Sequence, residues 1–202
     1  MRTLVIYCHP WKGSFNHAVL EAVLRRLERS GGDYDVIDLY ADGFDPALSA
    51  DELAHYNEGV ALDPLVIRYQ QLVAAADRLE IVCPIWWNDI PTMLRGFVDK
   101  VMLVGFSWQA TGKGLLGTLT HVRTCDIWTT SAEPTEHLEL AIRSSFVEGT
   151  LAQLGIGGLP DAGDGASSVP APAPTRRWHN FGLIDASTPE SRSAWLHEVE
   201  GL

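Results

Sequence analysis

Short apolar runs alternate with amphipathic segments along most of this chain. Residues 3–8, 34–40, 78–84 and 122–130 are strand-like, and the segments between them carry helical periodicity. Parallel strands need a long crossover between them, so a repeated strand-helix order predicts a parallel sheet with right-handed crossovers. We therefore expect an α/β fold, a doubly wound five-stranded sheet with helices on both faces, in a single domain over residues 1–202.

The helical segments have recognisable ends. Gly31 and Gly32 end the first helix, and Pro91 lies in the first turn of a later one. Ser49 with Glu52 has the pattern of a capping box that starts a short helix. The longer predicted helices cover residues 16–29, 64–76, 91–104, 135–153 and 189–199.

Two segments compete for the fifth strand. Residues 178–184 have the better strand pattern, and residues 154–159 are the alternative. Between them, residues 155–175 are rich in Pro, Gly and Ala, which predicts an extended surface loop.

The negative net charge of the chain excludes some classes of binding partner. A net charge of −11 argues against nucleic acid, whose phosphates need a basic face. No apolar run approaches the roughly 18 residues of a membrane span, and the chain enters its first strand without a signal-peptide pattern. We expect a cytoplasmic protein with no membrane insertion.

The three cysteines lie in apolar strand-like runs, which predicts neither a disulfide framework nor a metal site.

Three loops that follow predicted strands carry the residues best suited to binding. They are residues 9–16, 84–91 and 129–137. In an open α/β sheet, ligands bind outside the carboxyl ends of the strands. Their common position therefore predicts one shared site.

The first loop joins a strand to a helix N-terminus, where free N–H groups and the helix dipole favour an anion. It matches neither of the two common glycine-rich nucleotide loops. Ser14 and Asn16 can donate to phosphate oxygens. His9 either contacts phosphate or serves only as a packed turn residue.

The other two loops offer an aromatic surface and a polar edge. Trp86 and Trp87 can stack on a flat aromatic ligand, or pack in a core or interface. The hydroxyls of Thr129, Thr130 and Ser131 can line the edge of such a ligand, or simply form a turn.

Several segments together carry a resemblance to a known family. They are His9-Pro10, Ser14-Phe15-Asn16 with Ala18, Pro84-Ile85-Trp86-Trp87 with Pro91, residues 94–101, 105–108 and 112–115, and Thr129-Thr130. In this order they resemble the flavodoxin-like NAD(P)H:quinone oxidoreductases, the family of DT-diaphorase and its bacterial relatives. The resemblance covers residues 1 to about 137.

The resemblance implies a flavodoxin-like fold and a flavin held without covalent attachment, FAD or FMN, with the form of the first loop favouring FAD. It implies a homodimeric enzyme that moves electrons from NADPH or NADH through the flavin to a quinone-like small molecule by a ping-pong hydride mechanism. By position, the phosphates would be held by His9, Ser14, Phe15 and Asn16. The flavin ring would be lined by Pro84, Ile85, Trp86, Trp87 and Asn88. Its pyrimidine edge would be lined by Thr129, Thr130, Ser131 and Ala132. Trp108 would cover the site of the neighbouring subunit.

Some residues depart from the family pattern. Asn88 stands where an aromatic residue is usual, and Asp89 where a small one is. Ser131-Ala132 replaces a Gly-Gly pair, so the resemblance implies a less close approach of the backbone to the flavin.

Two of these positions have competing interpretations. His137 falls where many members carry a tyrosine, and it is our candidate proton donor to the acceptor; the alternative is an ordinary surface histidine. Asp89 either caps the helix at residues 91–104, the interpretation we favour, or lowers the flavin potential.

Other functions are compatible with parts of this pattern. The main alternative is a flavin-binding regulatory or ancillary subunit of an ion-efflux system, or an electron carrier. A small hydrolase is disfavoured because the chain lacks G-x-S-x-G.

Overall fold

In a computed structural model, residues 1–158 and 175–202 are described, and five of their seven strands form one parallel sheet. The strands are β1 (Arg2–Tyr7), β2 (Asp33–Asp38), β3 (Arg78–Pro84), β4 (Trp108–Thr111), β5 (Gly114–Gly117), β6 (Thr124–Thr130) and β7 (Thr175–Phe181). The sheet has the order β2-β1-β3-β6-β7, with every neighbouring pair parallel. The predicted doubly wound, flavodoxin-like sheet is confirmed.

Helices cover both faces of this sheet. They are α1 (Phe15–Ser30), α2 (Ala50–Ala54), α3 (Pro64–Ala75), α4 (Thr92–Val101), a π-helix (Glu139–Leu151) and α5 (Pro189–Gly201). Leu4 and Ile6 of β1 face the core shared with α3, α4 and the π-helix, whereas Val5 and Tyr7 face the core shared with α1 and α5. The central strands are largely apolar because both faces are buried, with Glu80 of β3 and Asp126 of β6 as buried exceptions. Within the described residues, no helix combines the length and apolar character that a membrane crossing requires.

The helix ends follow the sequence signals. Ser14 caps α1, and Gly31 ends it in the left-handed region at φ 66°. The predicted capping box is confirmed, since Ser49 Oγ accepts from Glu52 N at 3.2 Å and Ser49 N donates to Glu52 Oε2 at 2.8 Å. These contacts satisfy N–H groups that have no partner inside the helix.

The fifth strand is β7, so it begins three residues before the favoured segment and ends at Phe181. Leu183 has φ 55°, which takes the chain out of the sheet.

The alternative segment, 154–159, is wrong where the structure describes it, because residues 154–157 form a turn. Gly155 and Gly157 have φ of 84° and 78°, which no strand tolerates. Most of the predicted loop at 155–175 lies outside the described residues, and Thr175 belongs to β7.

Two further elements differ from the sequence prediction. The segment predicted as one helix over 135–153 begins as a 3-10 turn at Thr135–Leu138 and continues as the π-helix. The antiparallel hairpin of β4 and β5 was not predicted, because strands of four residues carry too little periodicity.

Buried carboxylates tie β3, β6 and β7 together away from the loops. Asp126 accepts from Arg78 Nη2 at 2.7 Å, Arg177 Nε at 2.6 Å and His179 Nε2 at 3.2 Å. Arg78 Nη2 also forms an ion pair with Glu80 Oε1 at 2.7 Å. Burial alone would raise the pKa of Asp126, but the hydrogen bonds from His179 and Arg177 outweigh burial and hold the pKa well below its usual range.

Candidate functional site

The three predicted loops lie together at the carboxyl ends of β1, β3 and β6. Asn16 Nδ2 donates to Thr130 Oγ1 at 2.8 Å, which joins the first loop to the third. Ile85 N donates to Thr130 O at 2.7 Å, which joins the second to the third. The rings of His9 and Trp86 meet edge to face, with centroids 5.9 Å apart. The strand register therefore brings the loops to one edge of the sheet, as the sequence predicts.

The first loop presents hydrogen-bond donors at the N-terminus of α1. Ser14 Oγ accepts from His17 N at 3.1 Å, and its hydroxyl can still donate one hydrogen bond. Within residues 1–158 and 175–202, the backbone N–H groups of Phe15 and Asn16 have no hydrogen-bond partner. Such free donors at a helix N-terminus suit a phosphate.

Asn16 contributes to this loop in a different way from the one predicted. Its side chain is 4% exposed, and its amide is held by Thr130. The donor that Asn16 offers to an anion is therefore its backbone N–H, while its side chain fixes the distance between α1 and β6. The buried Oδ1 has no partner among the described residues.

His9 lies half-buried at the start of the loop. Its Nδ1 accepts from Trp11 N at 3.1 Å. Burial lowers the pKa of His9, which favours the neutral imidazole at pH 7. With Nδ1 acting as acceptor, the proton sits on Nε2, which makes Nε2 a donor.

The second loop is a tight two-residue turn. Trp86 N donates to Asp89 O at 3.0 Å, and Asp89 N donates to Trp86 O at 3.1 Å. The two central residues, Trp87 and Asn88, have φ of 53° and 59°. Asn tolerates this left-handed region, whereas a bulky tryptophan is strained there by about 1–3 kcal/mol. The turn holds the Trp87 indole fully in solvent, at 101% exposure, where it can stack on a ligand.

A small cleft separates the second loop from the third. It has a volume of about 160 Å³, and Ile85, Trp87 and Asn88 face Ser131 and Ala132 across it. Pro84, the last residue of β3 and the first of the second loop, is buried.

In the part of the chain that the structure describes, the third loop has two unpartnered N–H groups on residues that line this cleft. The N–H groups of Ala132 and Glu133 have no hydrogen-bond partner within the described residues. Ser131 N, by contrast, donates to Phe181 O at 3.2 Å. Thr129 Oγ1 lies deeper and donates to Asn180 Oδ1 at 2.7 Å. The sequence does not predict Asn180; its only signal is a polar residue within a predicted strand.

The predicted proton donor lies beside a second, open cleft. His137 and Asn88 both line this cleft of about 520 Å³, and Asn88 also lines the smaller one. His137 Nδ1 lies 3.1 Å from Glu133 Oε2, and both side chains are more than half exposed. The arrangement leaves Nε2 as the ring nitrogen not engaged by Glu133.

The favoured interpretation of Asp89 as a helix cap is wrong. Pro91 occupies the N-cap position of α4, which has no side-chain cap. Asp89 Oδ1 instead accepts from Ile90 N at 2.7 Å and from Arg95 Nη2 at 3.0 Å. The turn at residues 86–89 aims the carboxylate at the Arg95 side chain rather than at the first free N–H groups of the helix.

Trp108, the remaining predicted residue, begins β4. Its Nε1 donates to Met102 O at 3.0 Å, and the partly buried indole packs against the core of its own chain.

Comparisons with known proteins agree with this fold. A family model described as a flavodoxin-like fold matches residues 1–159. An uncharacterised NAD(P)H oxidoreductase of Haemophilus influenzae is 26% identical over 147 residues, which is 72% of each chain. NAD(P)H dehydrogenase (quinone) 1 of Cavia porcellus is 33% identical over 124 residues, 53% of this chain and 45% of that protein. The chain thus spans about half the length of that relative.

Solved structures extend the similarity to the whole chain. Smu.1420 from Streptococcus mutans has a TM-score of 0.82 at 27% identity, and the match covers 100% of this chain and 97% of that one. NAD(P)H:quinone oxidoreductase from Methanothermobacter marburgensis has a TM-score of 0.80 at 22% identity, with 100% and 94% covered. Since the family match covers well over half of the sequence and the sheet has the expected strand order, the chain belongs to the flavodoxin-like family in which these NAD(P)H oxidoreductases are found.

Proposed function

We propose that this protein is a flavin-dependent oxidoreductase that passes electrons from NADPH or NADH to a quinone-like acceptor. The observation that carries the proposal is that three loops meet at one edge of the sheet. Anion donors lie on the first loop, and a cleft beside the exposed Trp87 lies between the second and the third. The names of its relatives support the same chemistry.

The donor set fits a flavin phosphate and ring. Ser14 and the N–H groups of Phe15 and Asn16 would hold the phosphate, and His9 would add an Nε2 donor. We propose FAD as the cofactor, on the form of this loop; FMN is the other outcome of its identification.

The ring side of the cleft supplies one flat face and one polar edge. Trp86, Trp87 and Asn88 would lie along the ring, with Pro84 and Ile85 forming the floor. Thr129, Thr130, Ser131 and Ala132 would line the pyrimidine edge. The N–H groups of Ala132 and Glu133, two residues that line the cleft, have no partner within the described residues. These fixed donors cost no reorganisation when charge develops opposite them.

A bound flavin would supply the two-electron carrier, taking a hydride from the nicotinamide and delivering electrons to the acceptor in a second, ping-pong step. The chain's residues would orient both substrates over the same face. His137, beside the open cleft, would deliver a proton from Nε2 to the reduced acceptor while Glu133 orients the ring.

We also propose a cytoplasmic homodimer. In this dimer, Trp108 would cover the site of the neighbouring subunit with the part of its indole that the core of its own chain leaves exposed. Sedimentation of the purified protein tests the dimer. A monomer with full activity would overturn the role of Trp108.

Separate half-reactions test the proposed enzyme. Anaerobic NADPH should bleach the flavin band within the time of one turnover, and a quinone added after removal of NADP⁺ should restore it. Bleaching that takes many minutes, with normal flavin binding, would favour the regulatory subunit or electron carrier instead.

A further inference from the structure

Asn180 occupies a central position at the end of β7, beyond the residues matched by the family model. Its Oδ1 accepts from Thr129 Oγ1 at 2.7 Å. Its Nδ2 donates to Ser131 Oγ and to Thr135 Oγ1, both at 2.9 Å. One half-buried amide group therefore fixes the start, middle and end of the third loop.

The backbone that follows Asn180 also forms hydrogen bonds with the third loop. Ser131 N donates to Phe181 O at 3.2 Å, and Ile184 N donates to Ser131 O at 3.0 Å. At Gly182, an added Cβ would lie 3.1 Å from Glu133 O, so the two segments run in close contact. β7 and the residues that follow it thus hold the third loop, together with the loop's own hydrogen bond from Ser131 Oγ to Glu133 O at 2.7 Å.

Fixing this loop sets the direction of two free donors. The N–H groups of Ala132 and Glu133 lie between Ser131 and Thr135, the two residues whose hydroxyls Asn180 binds. Asn180 holds both ends of the segment from Ser131 to Thr135, which limits the rotation of the two N–H groups between them.

We propose that Asn180 is a positioning residue that aims the Ala132 and Glu133 N–H groups at the pyrimidine edge of the flavin. This inference rests on the proposed function. Donors aimed at that edge favour the reduced ring, where negative charge accumulates, and so raise the flavin midpoint potential. Asn180 does this without touching the ring.

Asn180→Ala tests the proposal in the flavin-loaded protein. We expect flavin retention to weaken by roughly tenfold, the equivalent of one or two neutral hydrogen bonds, and the midpoint potential to fall. Arg177→Gln is the control. Arg177 lies on β7 like Asn180, but its side chain binds Asp126 of β6 and leaves the third loop untouched. The control should lose stability without a change in potential.

Thr135→Val removes one of the same bonds from the other side while keeping the shape and charge of the side chain. Thr135→Val should shift the potential in the same direction by less, and should add nothing when combined with Asn180→Ala. Unchanged potential and retention in Asn180→Ala, an equal shift in Arg177→Gln, or full additivity of the two loop variants would overturn the inference. A wild-type protein that binds no flavin would overturn the proposed function as well, which separates the two failures.

Discussion

Removing the Ser14 hydroxyl should separate a structural contact from a binding contact in one side chain. Ser14 Oγ accepts from His17 N at 3.1 Å and caps α1. Loss of a serine cap costs about 1 kcal/mol. For a chain of this size, that corresponds to a fall in Tm of about 2–4 °C in the flavin-free protein.

The same hydroxyl carries one proton that it can donate. If that proton is donated to a flavin phosphate, Ser14→Ala also removes a hydrogen bond to a charged group, worth about 1.5–3 kcal/mol. The dissociation constant for flavin should then rise roughly ten- to a hundredfold. Quenching of flavin fluorescence on binding measures this constant directly.

Thr188→Ala is the matched control. Thr188 Oγ1 caps α5 by accepting from Ser191 N at 3.2 Å, and it belongs to none of the three loops. We expect a similar loss of thermal stability and an unchanged flavin affinity. If Ser14→Ala lowers the Tm by the same amount as Thr188→Ala and binds flavin as tightly as wild type, the phosphate assignment is refuted.

Three further results are expected. His137→Ala should slow quinone reduction and leave the reduction of ferricyanide, which takes up no proton, unchanged. A variant that reduces quinone as fast as wild type would show that His137 takes no part in the reaction. The depressed pKa of Asp126 lies below its unfolded value near 3.9, so the carboxylate stabilises the fold above that pH and loses this contribution as pH falls through the folded-state pKa. Asp126→Asn should therefore be less stable at pH 7, and its deficit should narrow below about pH 4 in urea unfolding. Gly96→Ala should destabilise by at least about 1–3 kcal/mol because the new Cβ would lie 2.6 Å from Pro46 Cα, whereas Gly112→Ala, with open space around it, should unfold like wild type.

The strands and the three loops could be predicted because their signals are local. A buried strand followed by a polar loop and a helix is visible in residues 3–16, and parallel pairing then brings such loops to one edge. Ser14 is an example of such a local signal. A serine that caps a helix also offers a hydroxyl donor beside the free N–H groups of that helix.

Long-range contacts account for most of what the sequence did not predict. The amide of Asn16 is held by Thr130, 114 residues away, so its orientation depends on the packing of α1 against β6. Asn180 similarly acts on a loop about 50 residues earlier. No periodicity or local motif carries these pairings.

Local geometry explains the remaining differences. The left-handed pair Trp87 and Asn88 turns the chain so sharply that Asp89 meets Arg95 instead of the start of α4. The π-helix has the same apolar residues that an α-helix would bury, so its wider turn leaves no mark in the pattern.

The absorption spectrum of the purified protein tests the central claim most directly. The converging loops predict a yellow protein with oxidised-flavin bands, one flavin per chain, released by denaturation without covalent attachment. A colourless protein that also fails to take up added FAD or FMN, measured by fluorescence quenching, would contradict the account.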